Sequence, residues 1–168
     1  MKKELPKRKN IRLKGYDYSQ AGYYFITICV KDKMDFFGEV LNGKVCLNEC
    51  GEIAENELIK IPTHYDNVKI DKFIIMPNHI HMIIVIFSPE RINPFPTKVD
   101  IPNIVGKYKA GVTRTVGNAF MRSDIMRNEI WQKSFHDHII RDEEEYKYIW
   151  KYIDENPLNW ESDEYCVV

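Results

Sequence analysis

No apolar run of about eighteen residues occurs in this 168-residue sequence and no secretory leader is visible, so a membrane span is not expected. Cysteine is sparse. Cys29, Cys46, Cys50 and Cys166 form no paired knuckles and no disulfide framework, which favours a reduced, cytoplasmic protein. Cys46 and Cys50 are spaced like two metal ligands, but no second pair follows them. Cys29 lies in a strand-like run, where a free thiol behaves as a small hydrophobe. Excess charge is missing too: 24 basic residues face 25 acidic ones, so the total carries no polyanion-binding signal. Repeats and low-complexity tracts are absent. The length suits one domain with a proper core.

The neutral total conceals an uneven distribution. Over residues 2–14, Lys2, Lys3, Lys7, Arg8, Lys9, Arg12 and Lys14 stand against the single acid Glu4. Residues 1–22 are therefore expected to form a basic N-terminal arm able to neutralise phosphates, the plainer reading being a solubilising tail. The last quarter is acidic, from Asp142, Glu143, Glu144 and Glu145 to Glu161, Asp163 and Glu164, and residues 161–168 read as a C-terminal tail.

Between these ends the elements follow from composition and turn chemistry. Residues 23–30 are β-branched and aromatic, as a strand requires. Residues 37–41 and 44–47 flank Asn42-Gly43, the strongest two-residue hairpin signal. Asn48 can cap a helix from about residue 49 to 60, ended by Pro62. A strand over 68–75 precedes Met76-Pro77-Asn78, and a second apolar strand runs to Phe87. The proline-rich segment 88–102 reads as a surface loop, followed by a helix over 104–122 that carries Lys107, Lys109 and Arg114. A short strand is expected at 135–140, and a last helix starts near Asp142, where acids suit the positive end of its dipole. With the hairpin set aside, the order is βαββαβ plus a helix. That is an α+β, ferredoxin-like sandwich with an inserted β-hairpin, its first and third strands central.

The third strand begins His79-Ile80-His81. Strand side chains alternate, so both imidazoles share one face while Ile80 enters the core. Two imidazoles on a rigid strand can present ring nitrogens to one divalent ion; the alternative is a solvated histidine pair. Two histidines leave coordination positions open, and the last helix offers candidates. Tyr146, Ile149, Trp150 and Ile153 form an apolar stripe, and Tyr152 and Asn156, four apart, lie together at its edge. A phenol beside a divalent ion can act as a nucleophile. His136 and His138 form a second His-x-His, readable as a rival metal pair or as structural hydrogen bonding.

Three segments together, Met76-Pro77-Asn78-His79-Ile80-His81, Ile130 to Arg141, and Tyr152 to Trp160, resemble the REP-associated tyrosine transposases, single-tyrosine HUH nucleases. The resemblance runs over residues 23–160, the expected catalytic domain. It implies a metal-dependent endonuclease and strand transferase for single-stranded or hairpin DNA, acting through a 5′-phosphotyrosine intermediate. On the same basis His79 and His81 match the metal ligands and Tyr152 the nucleophile. Asn156 stands where related enzymes carry a polar third ligand. The implied ion is magnesium or manganese, and a homodimer is among the expectations. At His136 the sequence departs from an aromatic often found there, with no consequence for these assignments. For DNA contact the candidates are Lys7, Arg8, Lys9, Arg12, Lys107, Lys109 and Arg114. Tyr16, Tyr18 and Tyr108 are candidates for stacking on unpaired bases.

Two other classes fit parts of the sequence. A non-cleaving nucleic-acid-binding protein could use the same scaffold, although no RRM-type aromatic motif occupies the expected strands. A zinc enzyme acting on a small substrate lacks a third strong ligand near the histidines.

Overall fold

The computed structural model describes residues 13, 15–88, 99–120 and 129–163. Among these residues six strands and three α-helices follow one another as β1 (Gly22–Cys29), β2 (Gly38–Leu41), β3 (Lys44–Leu47), α1 (Glu49–Ile59), β4 (Val68–Ile75), β5 (His79–Ile86), α2 (Ile101–Ala119), β6 (His136–Ile140) and α3 (Glu143–Glu155). Four strands form an antiparallel sheet in the order β4-β5-β1-β6, and β2 and β3 form a separate hairpin. This is the expected ferredoxin-like α+β sandwich, with β1 and β5 central.

Alternation along the central strands builds two cores. Ile26, Ile28, Ile80, Met82, Ile84 and Ile86 meet Ala54 and Leu58 of α1 and Ile104, Val105 and Val112 of α2. On the opposite face Ile83, Val85 and Ile140 meet Ile149 and Ile153 of α3. Every residue of β5 is buried, and at about 25 cal/mol per Å² of apolar surface such a strand anchors the domain. The imidazoles of His79 and His81 lie on the α3 face, since Ile80 between them joins the larger core.

Local chemistry explains the helix ends. Asn48 accepts from Gly51 N at 3.0 Å, Asp100 from Asn103 N at 2.8 Å, and Asp142 from Glu145 N at 2.8 Å, so each helix has a side-chain N-cap. The second helix begins earlier than its periodicity predicts. Pro102 belongs to its first turn rather than to the preceding loop, because the missing N–H is one that a helix start leaves unbonded anyway. The predicted end of this helix, beyond residue 120, falls outside the described residues.

Two of the tyrosines proposed for base stacking are corrected here. Tyr108 is buried and donates to the Ala54 carbonyl at 3.0 Å, tying α2 to α1. Tyr18 is buried and donates to Asp137 of β6. Tyr16 is half-buried, edge-on to Tyr18 with ring centroids 5.0 Å apart.

The β2–β3 hairpin turns at Asn42 (φ 51°) and Gly43 (φ 71°), both in the left-handed region that a type I′ turn needs. Its tip meets the turn after α3: a Cβ added at Gly43 would stand 2.8 Å from Leu158 Cδ2. At the base of the hairpin Gly38 has φ 147°, and a Cβ there would lie 2.2 Å from the Cys46 carbonyl oxygen. Backbone cannot yield as a side chain does. Gly38→Ala is therefore expected to destabilise the protein by about 1–3 kcal/mol, read as a lower urea midpoint; an unchanged midpoint would contradict this placement.

Candidate active site

The turn Met76-Pro77-Asn78 sets the entry to β5. Met76 N donates to the His79 carbonyl at 2.8 Å, closing the turn. Pro77 offers no donor, but its carbonyl accepts from Phe36 N at 2.8 Å and Phe37 N at 2.9 Å. The Asn78 carbonyl accepts from Val30 N at 2.8 Å. The turn is thereby bound to the segment after β1, so His79 enters the strand from a fixed point.

Both imidazoles are buried, His79 0% and His81 1% exposed, with ring centroids 4.5 Å apart. Phe25 stacks on His81 at 5.3 Å and Trp160 on His79 at 6.0 Å, walling the rings from solvent. Tyr152, half-buried on α3, stands edge-on to both Phe25 and His81. Its hydroxyl lies 3.4 Å from His81 Nε2.

Hydrogen bonds at the other ring nitrogens orient the pair. Asn78 Nδ2 donates to the Lys33 carbonyl at 3.2 Å, which fixes the amide with its oxygen turned the other way. That oxygen lies 2.9 Å from His79 Nδ1 and can only accept, so Nδ1 carries the proton and Nε2 the lone pair. Thr27 Oγ1 lies 2.8 Å from His81 Nδ1. With Nδ1 as donor there, the His81 Nε2 lone pair faces Tyr152.

Burial also decides the charge. Loss of solvation pushes His79 down to about 4; the Asp163 carboxylate and the Asn156 side chain oppose this, while Lys33 adds to it. His81 is held well below the ordinary histidine value, first by burial and then by His79. Both rings are neutral at neutral pH, the state in which imidazole binds metal.

Asn156 caps α3 and begins the 3₁₀ run Asn156–Ser162. It is only 2% exposed, and its Nδ2 donates to Asp163 at 2.7 Å. Its Oδ1 is buried without a well-formed hydrogen bond among the described residues. Tyr152, Asn156, Asn159, Ser162 and Asp163 line a cleft of about 360 Å³. Two imidazole nitrogens and a buried amide oxygen make a donor set that suits a divalent ion taking nitrogen and oxygen ligands.

The structure thus brings Tyr152, His79, His81 and Asn156 together within one chain. Other sequence candidates lie elsewhere. Lys107 and Arg114 are exposed on α2, across the sheet from the imidazoles, and Lys107 rests over the Tyr65 ring. Lys109 is half-buried and donates to the carbonyls of Gln132 and Ser134 at 2.8 and 3.0 Å, so its ammonium braces the segment leading into β6. Lys7, Arg8, Lys9 and Arg12 fall outside the described residues. His136 is exposed, and His138 bonds Glu145 at 2.6 Å, the structural reading of the second His-x-His. The Ile130–Phe135 segment is likewise architectural: Trp131 Nε1 donates to the Lys109 carbonyl and Thr113 Oγ1, each at 3.1 Å. Among the described residues there is no group of three or more His, Cys, Asp or Glu that could hold a metal. Nor is any described helix long and apolar enough to cross a membrane.

Thr27, Asn78 and Asp163 were missed from sequence. Thr27 is one polar residue in an apolar strand and Asn78 reads as a turn former. Asp163 is one acid among many, and only the folded chain shows what each touches.

Comparison with known proteins bears on the family and the fold. An uncharacterised protein of Haemophilus influenzae is 39% identical over 173 residues, spanning 95% of this chain and 93% of its own length. A solved REP-associated tyrosine transposase bound to a REP hairpin superposes with a TM-score of 0.61 at 18% identity, over 93% of this chain and 74% of that one. A candidate transposase from Deinococcus radiodurans gives a TM-score of 0.51, also at 18% identity, over 85% and 95% of the two chains. At such identities these two likenesses speak for the fold alone. The family described as "Transposase IS200 like" matches residues 18–156, a span holding both imidazoles, Tyr152 and Asn156, and this chain belongs to that family.

Proposed function

We propose that this transposase is a divalent-metal-dependent endonuclease and strand transferase for single-stranded DNA, cutting beside hairpin-forming sequences through a 5′-phosphotyrosine intermediate on Tyr152. The observation that carries the reading is the 3.4 Å approach of the Tyr152 hydroxyl to His81 Nε2 within one chain. No residue of a second copy is needed for that approach, so the reading does not require a homodimer. The hairpin held by the structurally similar REP-associated transposase supports the choice of substrate.

The Tyr152 oxygen would form a bond to phosphorus as the bond to the 3′ oxygen breaks. The phenol gives up its proton and the departing oxygen takes one up. A 3′-hydroxyl and a 5′-phosphotyrosine ester result, and the ester keeps the energy of the broken bond for rejoining. His79 Nε2, His81 Nε2 and Asn156 Oδ1 would hold magnesium or manganese, which when bound offsets charge on the phosphoryl oxygens. Asn78 and Thr27 keep the imidazoles oriented, while Phe25 and Trp160 exclude water that would compete with the phenol. Affinity for the DNA backbone would come from the basic arm with Lys7, Arg8, Lys9 and Arg12, and from Lys107 and Arg114 on α2 if the DNA wraps the domain.

With labelled hairpin-flanked single strands and Mn²⁺, the wild type is expected to give a denaturation-resistant protein–DNA adduct. Tyr152→Phe should lower its formation by about 10⁴-fold or more while hairpin binding, read by mobility shift, persists. Adducts at wild-type yield from Tyr152→Phe would show that another residue attacks. Chelation with EDTA, His79→Ala and His81→Ala should each abolish adducts and cleaved strands alike; cleavage in EDTA would remove the metal from the reading.

Neutral buried imidazoles also predict an acid-sensitive fold. An unfolded histidine protonates near 6.5, whereas folded His79 resists protonation down to about 4. Between those values the unfolded chain binds more protons, so stability falls as pH falls. The metal-free protein should lose melting temperature across that window, and His79→Gln should lose less. Parallel curves for the two proteins would contradict the assigned neutrality.

A further inference from the structure

Each atom assigned to the metal belongs to a side chain whose other polar atom is held by the protein. Asn78 holds His79 and Thr27 holds His81. For Asn156 the partner is Asp163, in the cleft wall beside Tyr152. A carboxylate can only accept, so the 2.7 Å bond from Asn156 Nδ2 to Asp163 Oδ2 settles which end of the amide faces which way. With the nitrogen committed to Asp163, the Asn156 oxygen is left buried and without a well-formed hydrogen bond. Reversing the amide would set two oxygens against each other. The arrangement is therefore kept by Asp163.

Geometry favours this connection over chance. Asp163 lies seven positions after Asn156, and the intervening 3₁₀ run returns the chain so that two residues lining the cleft bond each other. Trp160 of the same run stacks on His79. The turn after α3 thus both covers one ligand and orients another.

We propose that Asp163 is a positioning residue that turns Asn156 Oδ1 toward the divalent ion, acting through the Asn156 amide rather than as a ligand itself. The inference rests on the metal reading given above and adds to it a residue beyond the segment matched by the family.

The test is Mn²⁺ affinity of the full chain without DNA, followed by water-proton relaxation, with thermal melts confirming that each variant is folded. Asp163→Ala should weaken Mn²⁺ binding by about 10-fold or more, close to the loss in Asn156→Ala. Asp163→Asn keeps an acceptor for Asn156 Nδ2 and should stay within about threefold of wild type. In an Asn156→Ala background, Asp163→Ala should add nothing, because the group it orients is gone. Unchanged affinity in Asp163→Ala overturns the proposal. So does an equal loss in Asp163→Asn, which would assign the effect to charge, and so does a further loss in the double variant, which would make Asp163 an independent ligand. Should Asp163→Ala fail to fold, the Asp163→Asn and Asn156→Ala affinities decide by the same criteria. Wild type that binds no Mn²⁺ removes the metal reading along with this one. Binding that is lost in His79→Ala but intact in Asp163→Ala removes this one alone.

Discussion

Everything at the site depends on the register of a strand that has no solvent face. β5 is paired on both edges and covered on both sides, so a slip of one residue would drive the imidazoles into the α1–α2 core and expel Ile80 and Met82. The larger core thereby specifies where His79 and His81 point. On the other face a smaller cluster of Ile149 and Ile153 against Ile83 and Val85 seats α3. Tyr152 sits beside Ile153 in sequence, so the packing that docks the helix also sets the phenol over the His81 ring.

The electrostatic character of the site follows from the same burial. Two imidazoles lie side by side, and desolvation leaves both uncharged. Their ordering therefore comes from neutral donors and acceptors, an amide at His79 and a hydroxyl at His81. Charge enters from the margin, through Lys33 on one side and Asp163 on the other, which act on His79 in opposite directions.

What could be read from the sequence was governed by periodicity and by residues with restrictive backbones. Asn42-Gly43, Pro77 and Pro157 mark real breaks, and alternation in residues 79–86 places both histidines on one face. The four-residue spacing of Tyr152 and Asn156 brings them to one cleft. What could not be read required long-range contacts. Lys109 looks like a surface cation until its carbonyl partners, more than twenty positions away, are in place. Tyr108 and Tyr18 look like stacking platforms until their hydroxyls find Ala54 and Asp137. Pro102 shows that a proline marks a boundary without saying on which side of it the helix lies. Asp163, in an acidic stretch, carries no local signal of its partner.

The hairpin of β2 and β3, an addition to the ferredoxin-like order, has its tip against Leu158 in the turn that carries Asn156 and Trp160. It is in that sense a buttress for one wall of the cleft. Changes in its loop length or in its tip residue would therefore alter how firmly that wall is held while leaving the histidines and the tyrosine untouched.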